Sequence, residues 1–268
     1  MEPPLTLQTQ LEQLWLKQKP FVAFCLPQSN EVQLYFQQDN TLHKTTRLND
    51  SGFALAPFDP ETPTYFIPNT LQKSFPIPKA QQQFPSEIPL AETQQEKTAF
   101  VQLVQKAVHT ISSGSFKKLV VSRKIEHQTS KSPVVVFMDL LRAYNGTMVY
   151  LWSHPKGGCW LGASPEKFLK KMEEGVQTEA LAGTQVYHSS KKIVWKQKEI
   201  DEQELVAEQI RQDLKPFFTS EETKEHPPRT IRAGNLVHRS SLFELPKFQQ
   251  PLHLLAKALH PTPAVGGI

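Results

Sequence analysis

The sequence predicts a fold that mixes α-helices with β-strands, and two observations support this. Residues 99–111 carry an apolar stripe at helical spacing, directly after a capping-box pattern at Thr93–Glu96. Short runs rich in β-branched and aromatic residues, such as Phe116–Arg123 and Met148–Ser153, are typical of strands. A chain of 268 residues is also long enough to bury a sizeable core.

Composition excludes several classes of function. The net charge of +4 is mild and the lysines are scattered, so we expect neither nucleic acid nor membrane as a partner. The N-terminus lacks the layout of a secretion signal, and Cys25 and Cys159 have no metal-ligand spacing. We therefore expect both cysteines to be buried free thiols in a protein of the reducing cytoplasm. We also expect a monomer.

The distribution of prolines and glycines predicts two regions. Residues 1–90 form a small N-terminal region with a helix at Leu7–Lys17, strands at Phe21–Leu26 and Val32–Gln37, and a proline-rich connection. Residues 91–268 form the second region, which contains every residue that we single out for chemistry.

The second region predicts alternating helices and strands. The capped helix ends at Ser113-Gly114, and a later helix runs from Ser132-Pro133 to Asn145-Gly146. The other predicted elements are strands at Phe116–Arg123, Met148–Ser153, Cys159–Ala163 and Thr230–Leu236, and helices at Lys196–Leu214 and Leu252–Leu259.

Residues 162–184 predict a β-hairpin, with strands at Lys167–Met172 and Val176–Leu181 and a turn at Glu173–Gly175. Glu166 precedes the first strand, and a turn of small residues, Ala182-Gly183-Thr184, follows the second. Because the two ends of a hairpin lie side by side, we expect Glu166 and this turn to flank a site.

Taken singly, the candidate residues have ordinary explanations. Lys118 on a strand usually reaches solvent along its stem, although an enclosed lysine can serve as a neutral base. Glu166 can be a surface carboxylate, and Glu202 lies among acids that form a solvated helix face unless it shares a cleft with another carboxylate. His238 and His260 are more often structural than ligating.

Six segments, considered together and in their order along the chain, favour a functional interpretation of these residues. They are KLVVSR at Lys118–Arg123, GASPE at Gly162–Glu166, LAGT at Leu181–Thr184, KEIDEQELV at Lys198–Val206, AGNLVH at Ala233–His238 and LHPTPA at Leu259–Ala264. Together they resemble the chorismate-utilising enzymes, which include isochorismate, salicylate, anthranilate and aminodeoxychorismate synthases. The resemblance implies an α+β fold like that of anthranilate synthase component I, with antiparallel sheets packed face to face, helices outside and an active site in the crevice.

The resemblance also implies roles for residues. Lys118 matches the base that activates water in isochorismate and salicylate synthases, where ammonia-using members have glutamine. Glu166 matches the general acid that protonates the departing hydroxyl, and Glu202 matches a glutamate that holds Mg²⁺ over the substrate carboxylate. Ala182 stands where aminodeoxychorismate synthases carry a lysine nucleophile, which disfavours that branch.

The remaining predicted contacts are with the substrate. Ala182, Gly183, Thr184, His238 and Ala264 match positions that line chorismate in the family. Water addition with loss of a hydroxyl needs a base, an acid and a hard cation, which agrees with these assignments. The departures are Gln203, where many relatives have histidine, and Arg239-Ser240 after His238.

Three functions stay open at this point. The first is isochorismate synthase, feeding menaquinone or a catechol siderophore, and the second is salicylate synthase or another chorismate enzyme. The third is a non-catalytic remnant or a subunit that needs a complementary chain. Because the family continues past the HPTPA loop, we expect this chain to be truncated at its C-terminus and inactive, or nearly so, in isolation.

Overall fold

The structure, a computed structural model, describes residues 6–46, 49–59, 61–79, 92–144 and 146–268. It contains two compact units. The first unit comprises Met1–Phe84 with Thr129–Glu166, and the second comprises Pro85–Gln128 with Lys167–Ile268. Residue 90 lies outside the described residues, so the division there stays a prediction. Residues 129–166 are grouped with the N-terminal residues in the first unit.

The first unit contains two helices and eight strands among its described residues. The helices are α1 (Leu7–Leu16) and α3 (Pro133–Ala143). The strands are β1 (Phe21–Cys25), β2 (Glu31–Phe36), β3 (His43–Thr45), β4 (Gly52–Leu55), β5 (Thr64–Pro68), β6 (Gln72–Pro76), β7 (Met148–His154) and β8 (Gly158–Ser164).

The second unit contains three helices and five strands among its described residues. The helices are α2 (Gln94–Ser112), α4 (Gln197–Leu214) and α5 (Leu252–Leu259). The strands are β9 (Lys170–Lys171), β10 (Gly175–Val186), β11 (Lys224–Glu225), β12 (Arg229–Ala233) and β13 (Leu236–Pro246).

An antiparallel sheet of order β6-β2-β1-β7-β8 organises the first unit. Helices α1 and α3 cover one face, where Leu11, Phe21, Phe137 and Leu151 are buried. The other face carries Val22 and Trp152 and packs against residues of the three-stranded sheet β3-β5-β4. Strand β1 is buried along its whole length because neighbouring side chains point to opposite faces that are both covered.

A long antiparallel pair, β10 with β13, organises the second unit. Strand β11 and strand β12 also pair with β13, and β9 pairs with β10. Helices α4 and α5 bury their apolar residues against this sheet, with Val206 and Ile210 of α4 packed among Ala180, Phe243 and Leu255.

All five predicted helices are confirmed, and two of them have the predicted caps. Thr93 and Glu96 form the predicted capping box, and the Ser132 hydroxyl accepts the Val135 amide hydrogen at 3.3 Å. Antiparallel sheets with helices confirm the α+β class. In the described part of the chain, no helix is long and apolar enough to cross a membrane.

Three predictions about the elements are wrong in full or in part. Phe116–Arg123 does not form a strand, since its backbone pairs with Gly266–Ile268 through one isolated bridge at Leu119. The strand expected at Thr230–Leu236 ends at Ala233, and a turn with Gly234 at φ +61° leads into the unpredicted β13.

The third prediction, the hairpin at residues 162–184, is confirmed only around its turn at Glu173–Gly175. Gly162–Ser164 belongs to β8, and the hairpin is confined to Lys170–Lys171 paired with Val176–Gln177. Ala182-Gly183-Thr184 is not a turn but lies inside β10, where the strand continues along β13. The small residues accommodate a β-bulge instead, which sequence alone does not distinguish from a turn.

The two thiols differ in exposure. Both cysteines are free, and Cys25 is buried as expected. The expectation of burial is wrong for Cys159, which is exposed. Cys159 lies on β8, the last strand in the order of its sheet, where one side has no neighbouring strand among the described residues.

Candidate active site

Gly183 forms a β-bulge in the middle of β10. Ala182 pairs with Arg239 and Thr184 pairs with His238, so Gly183 is the extra residue. Its φ of +73° favours glycine, and a Cβ there would lie 2.9 Å from the carbonyl oxygen of Glu199. The bulge therefore brings the first turn of α4 directly against the backbone of β10.

The next residue of the bulge contacts a histidine. The Thr184 hydroxyl lies 3.1 Å from Nδ1 of His238. Burial lowers the pKa of His238, because the charged imidazolium loses hydration that the neutral ring does not need. A neutral imidazole has one donor and one acceptor nitrogen, so His238 can orient a polar ligand without adding charge.

Lys118 is enclosed, with 7% of its surface exposed. Its Nζ donates a hydrogen bond to the carbonyl oxygen of Pro263 and lies 3.8 Å from Oε1 of Glu202. The Lys118 backbone is fixed by Ile268, whose amide donates to the Lys118 carbonyl at 3.0 Å. The ordinary expectation, in which this lysine reaches solvent, is therefore wrong.

Glu199 is a second carboxylate near the start of α4, and it is absent from the residues predicted from sequence. Its Oε2 is buried and has no hydrogen-bond partner among the described residues. It precedes Glu202 by three residues on α4, a spacing that places two side chains on one helix face. That spacing was the signal that could have identified it.

Gln203 ties this part of α4 to the sheet. It is buried, donates to the Ala180 carbonyl at 3.4 Å and to Ser241 Oγ at 3.0 Å, and accepts from Arg239 Nε at 3.2 Å. These bonds fix the rotation of α4 next to Glu202. The glutamine therefore hydrogen-bonds to residues of both long strands, β10 and β13.

Comparison with known proteins assigns this arrangement to a family. Residues 61–268 match the model of the chorismate binding enzymes. The chain belongs to that family. Isochorismate synthase EntC of Escherichia coli K12 is 30% identical over 184 residues, which are 64% of this chain and 46% of that protein. Isochorismate synthase DhbC of Bacillus subtilis is 29% identical over 184 residues, 61% of this chain and 46% of that protein.

Solved structures confirm the chorismate-binding fold. MenF, the menaquinone-specific isochorismate synthase from Escherichia coli, has a TM-score of 0.70 at 18% identity, covering 92% of this chain and 69% of that one. A putative DhbC from Bacillus anthracis, a 2,3-dihydroxybenzoate-specific isochorismate synthase, has a TM-score of 0.73 at 19% identity, covering 97% and 77%. The chain spans about half the length of the curated relatives.

Within this chain, most predicted site residues lie in the second unit. Lys118 and Glu202 are brought together, and Ala264 follows Pro263, the carbonyl partner of Lys118. Ala182, Gly183, Thr184 and His238 lie along β10 and β13.

Glu166 lies in the first unit, where its amide donates to Ser164 Oγ at 3.2 Å. The predicted hairpin was the reason to place it beside Gly183, and that reason no longer holds. Its catalytic role stays a prediction from the family resemblance.

The carboxylates offer a test of whether a divalent cation fits. Glu199 and Glu202 supply hard oxygen donors, and the buried Glu199 Oε2 has no protein partner among the described residues. Among those residues, no group of three or more histidine, cysteine, aspartate or glutamate side chains could hold a metal ion. Two carboxylates match the way Mg²⁺ binds proteins, since it keeps several waters.

Proposed function

We propose that this chain carries the base and the metal-binding carboxylates of an isochorismate synthase, which converts chorismate to isochorismate. The observation that supports this most is the enclosed Lys118 amine, 3.8 Å from Glu202. A lysine buried at this position suits activation of water, whereas ammonia-using family members carry glutamine there.

Lys118 acts on the attacking water in this proposal. In the complex with substrate, the amine in its neutral form accepts a proton from water as the oxygen bonds to the ring of chorismate. The ring double bonds shift, and a hydroxyl leaves from another carbon with a proton from an acid. One water is added and one is lost, so the reaction is an isomerisation. The acid predicted from the resemblance is Glu166.

Glu199 and Glu202 are the residues that would hold Mg²⁺. When bound, the ion would supply charge neutralisation and orientation of a substrate carboxylate. The carboxylate oxygens of Glu199 and Glu202 match the preference of Mg²⁺ for hard ligands. Gln203 supports them by fixing the rotation of α4 through its three hydrogen bonds.

The bulge and the HPTPA loop would line the substrate. Ala182 and Gly183 bring main chain close to the ligand, because neither has a large side chain. Thr184 and His238 offer neutral polar groups to the substrate. Ala264 would contact the substrate on the side next to Lys118. These contacts are proposed from the family resemblance and from their placement in one unit.

Product analysis tests the proposed function. The protein is incubated with chorismate and MgCl₂, and the products are separated by chromatography. We expect slow formation of isochorismate, and replacement of Lys118 by alanine should abolish it because the base is lost. Lys117→Ala removes an exposed lysine next in the chain and should leave the rate unchanged. Equal rates for Lys118→Ala and wild type would contradict the role of Lys118.

The products also separate the alternative enzyme. A salicylate synthase would release pyruvate together with salicylate, so both compounds are quantified in the same reaction. Menaquinone and siderophore supply are both compatible with isochorismate as product. Residence in the cytoplasm and a monomeric state stay predictions.

A non-catalytic subunit remains the second candidate, and one observation favours it. Helix α2 has no buried side chain and exposes Val101, Leu103, Val104 and Val108, as a surface awaiting a complementary chain would. Chorismate binding measured by calorimetry without any turnover would support this candidate. Turnover by the chain alone would exclude it.

A further inference from the structure

The carboxylates proposed to hold Mg²⁺ differ in their protein partners. Glu202 has the ammonium of Lys118 at 3.8 Å, and its side chain is 32% exposed. Glu199 Oε2 is buried without a hydrogen-bond partner among the described residues. Glu202 thus lies near a protein cation, while Glu199 has an oxygen that no described residue hydrogen-bonds.

Lys118 is held where it is. Its Nζ donates to the Pro263 carbonyl, and its backbone amide and carbonyl both bond to Ile268. Because its side chain is buried, the ammonium cannot withdraw into solvent without breaking these contacts. A second cation at Glu202 would therefore meet a fixed positive charge.

Two consequences follow from elementary electrostatics. The ammonium and a divalent cation are attracted to the same carboxylate, and they repel one another at short range, where the burial of Lys118 reduces screening by solvent. Binding of the divalent cation must therefore overcome an interaction that already satisfies Glu202.

We propose that Lys118 and the divalent cation compete for the Glu202 carboxylate, so that the lysine weakens cation binding in the protein without substrate. This rests on the proposed function, because it uses the metal role of Glu199 and Glu202. It adds that the proposed base, Lys118, opposes cation binding by the proposed metal ligand, Glu202.

The opposite expectation is equally concrete. If Lys118 only organises the site, by tying the Pro263 loop to the rest of the unit, its removal should loosen the carboxylates and weaken cation binding. The two accounts predict opposite signs for the same substitution, so the direction of the change decides between them.

The experiment is a calorimetric titration with MgCl₂ in the absence of chorismate. Lys118→Met and Lys118→Gln should each bind Mg²⁺ at least about tenfold more tightly than wild type. Lys118→Gln keeps a donor for the Pro263 carbonyl, which covers the case in which the methionine variant fails to fold. Lys118→Arg keeps the charge and should bind as weakly as wild type.

Controls separate the competing explanations. Lys117→Met removes one positive charge from an exposed neighbour and should leave the affinity within about twofold of wild type, because solvent screens it. Glu202→Gln should abolish most of the binding, and adding Lys118→Met to it should not restore tight binding.

The outcomes are distinguishable. Unchanged or weaker Mg²⁺ binding in both folded Lys118 variants overturns the competition but leaves the proposed function standing, since product formation is measured separately. Binding that persists in Glu202→Gln overturns both the competition and the metal role of Glu202. Melting temperatures of all variants establish which of them are folded.

Discussion

Helices α2 and α4 are nearly equal in length, at 19 and 18 residues, and both carry apolar residues at helical spacing. Helix α4 buries Gln203, Val206, Ala207, Ile210 and Leu214 on the sheet, whereas α2 has no buried residue. The difference shows that an amphipathic pattern predicts which face of a helix can be buried. Whether that face is buried depends on the elements that pack against it.

The way each helix is anchored explains the contrast. Helix α4 contacts β10 at Gly183 and bonds to both long strands through Gln203. Helix α2 has its capping box, and the Arg123 guanidinium lies 4.8 Å from the centre of the Phe100 ring. Local signals thus form both helices, but tertiary packing stabilises α4 far more.

The largest expected change in the free energy of unfolding comes from a substitution on the apolar face of α4. Leu214→Ala in α4 removes a side chain that is 1% exposed and should lower the free energy of unfolding by about 3 kcal/mol. Leu103→Ala in α2, where the leucine is 42% exposed, should change it by less than about 0.5 kcal/mol. Urea denaturation followed by circular dichroism measures both. Equal losses would show that the α2 face is covered in solution.

The next effect concerns the polar anchor of α4. Gln203→Ala leaves the Ser241 hydroxyl and Arg239 without a buried partner and should cost about 2 kcal/mol of stability. Gln105→Ala, at an exposed position of α2, should stay within about 0.5 kcal/mol of wild type. A small loss for Gln203→Ala in the same denaturation assay would mean that water replaces its bonds.

A matched pair of glycines tests how closely α4 approaches the sheet. Gly114, which follows α2, has φ +81° and open space where a Cβ would lie, whereas Gly183 has φ +73° and the Glu199 carbonyl at 2.9 Å from that position. Gly114→Ala should cost about 1 kcal/mol from its backbone conformation alone. Gly183→Ala should cost about 1 kcal/mol more, because the added carbon also collides. Identical losses would contradict close packing at the bulge.

The smallest effect is a pH dependence. Since burial lowers the pKa of His238, the unfolded chain binds a proton at a higher pH than the folded chain does. The His238 contribution is full above the unfolded value of about 6.5 and is lost as the pH falls towards the folded pKa. Between about pH 7.5 and about pH 5.0, wild type should therefore lose more stability than His238→Gln.

The control for this pH series is His109→Gln on α2, which removes an exposed imidazole. Its stability should follow the wild-type pH profile, because His238 is still present. If His238→Gln also follows the wild-type profile, then burial of His238 does not contribute to acid sensitivity.

Local signals predicted a large part of this fold. The hydroxyls of Thr93 and Ser132 cap the helices that their sequence context indicates, and the boundaries of α4 agree within one residue. Such features depend on neighbours in the chain. The family resemblance then predicted the fold class, which depends on many motifs in order.

Features that depend on distant partners could not be predicted in the same way. Phe116–Arg123 has strand composition, yet a strand requires a neighbouring strand with which to pair. Strand β13 was missed because Arg239, Ser240 and Ser241 interrupt its apolar pattern. Arg239 pairs beside the bulge and, like Ser241, is hydrogen-bonded to Gln203. Lys118 donates a hydrogen bond to the backbone carbonyl of Pro263. Every residue has such a carbonyl, so the identity of the side chain does not predict this contact.

The register around Gly183 has a consequence for how this family member can change. Ala182 faces Arg239 and Thr184 faces His238, which are the partners a regular ladder would have if Gly183 did not exist. The sheet therefore does not need this residue for its pairing. A chain that lost codon 183 would keep the same strand neighbours and lose the close approach to α4. Deletion of one glycine would therefore keep the pairing of β10 with β13 and change only the contact between β10 and α4.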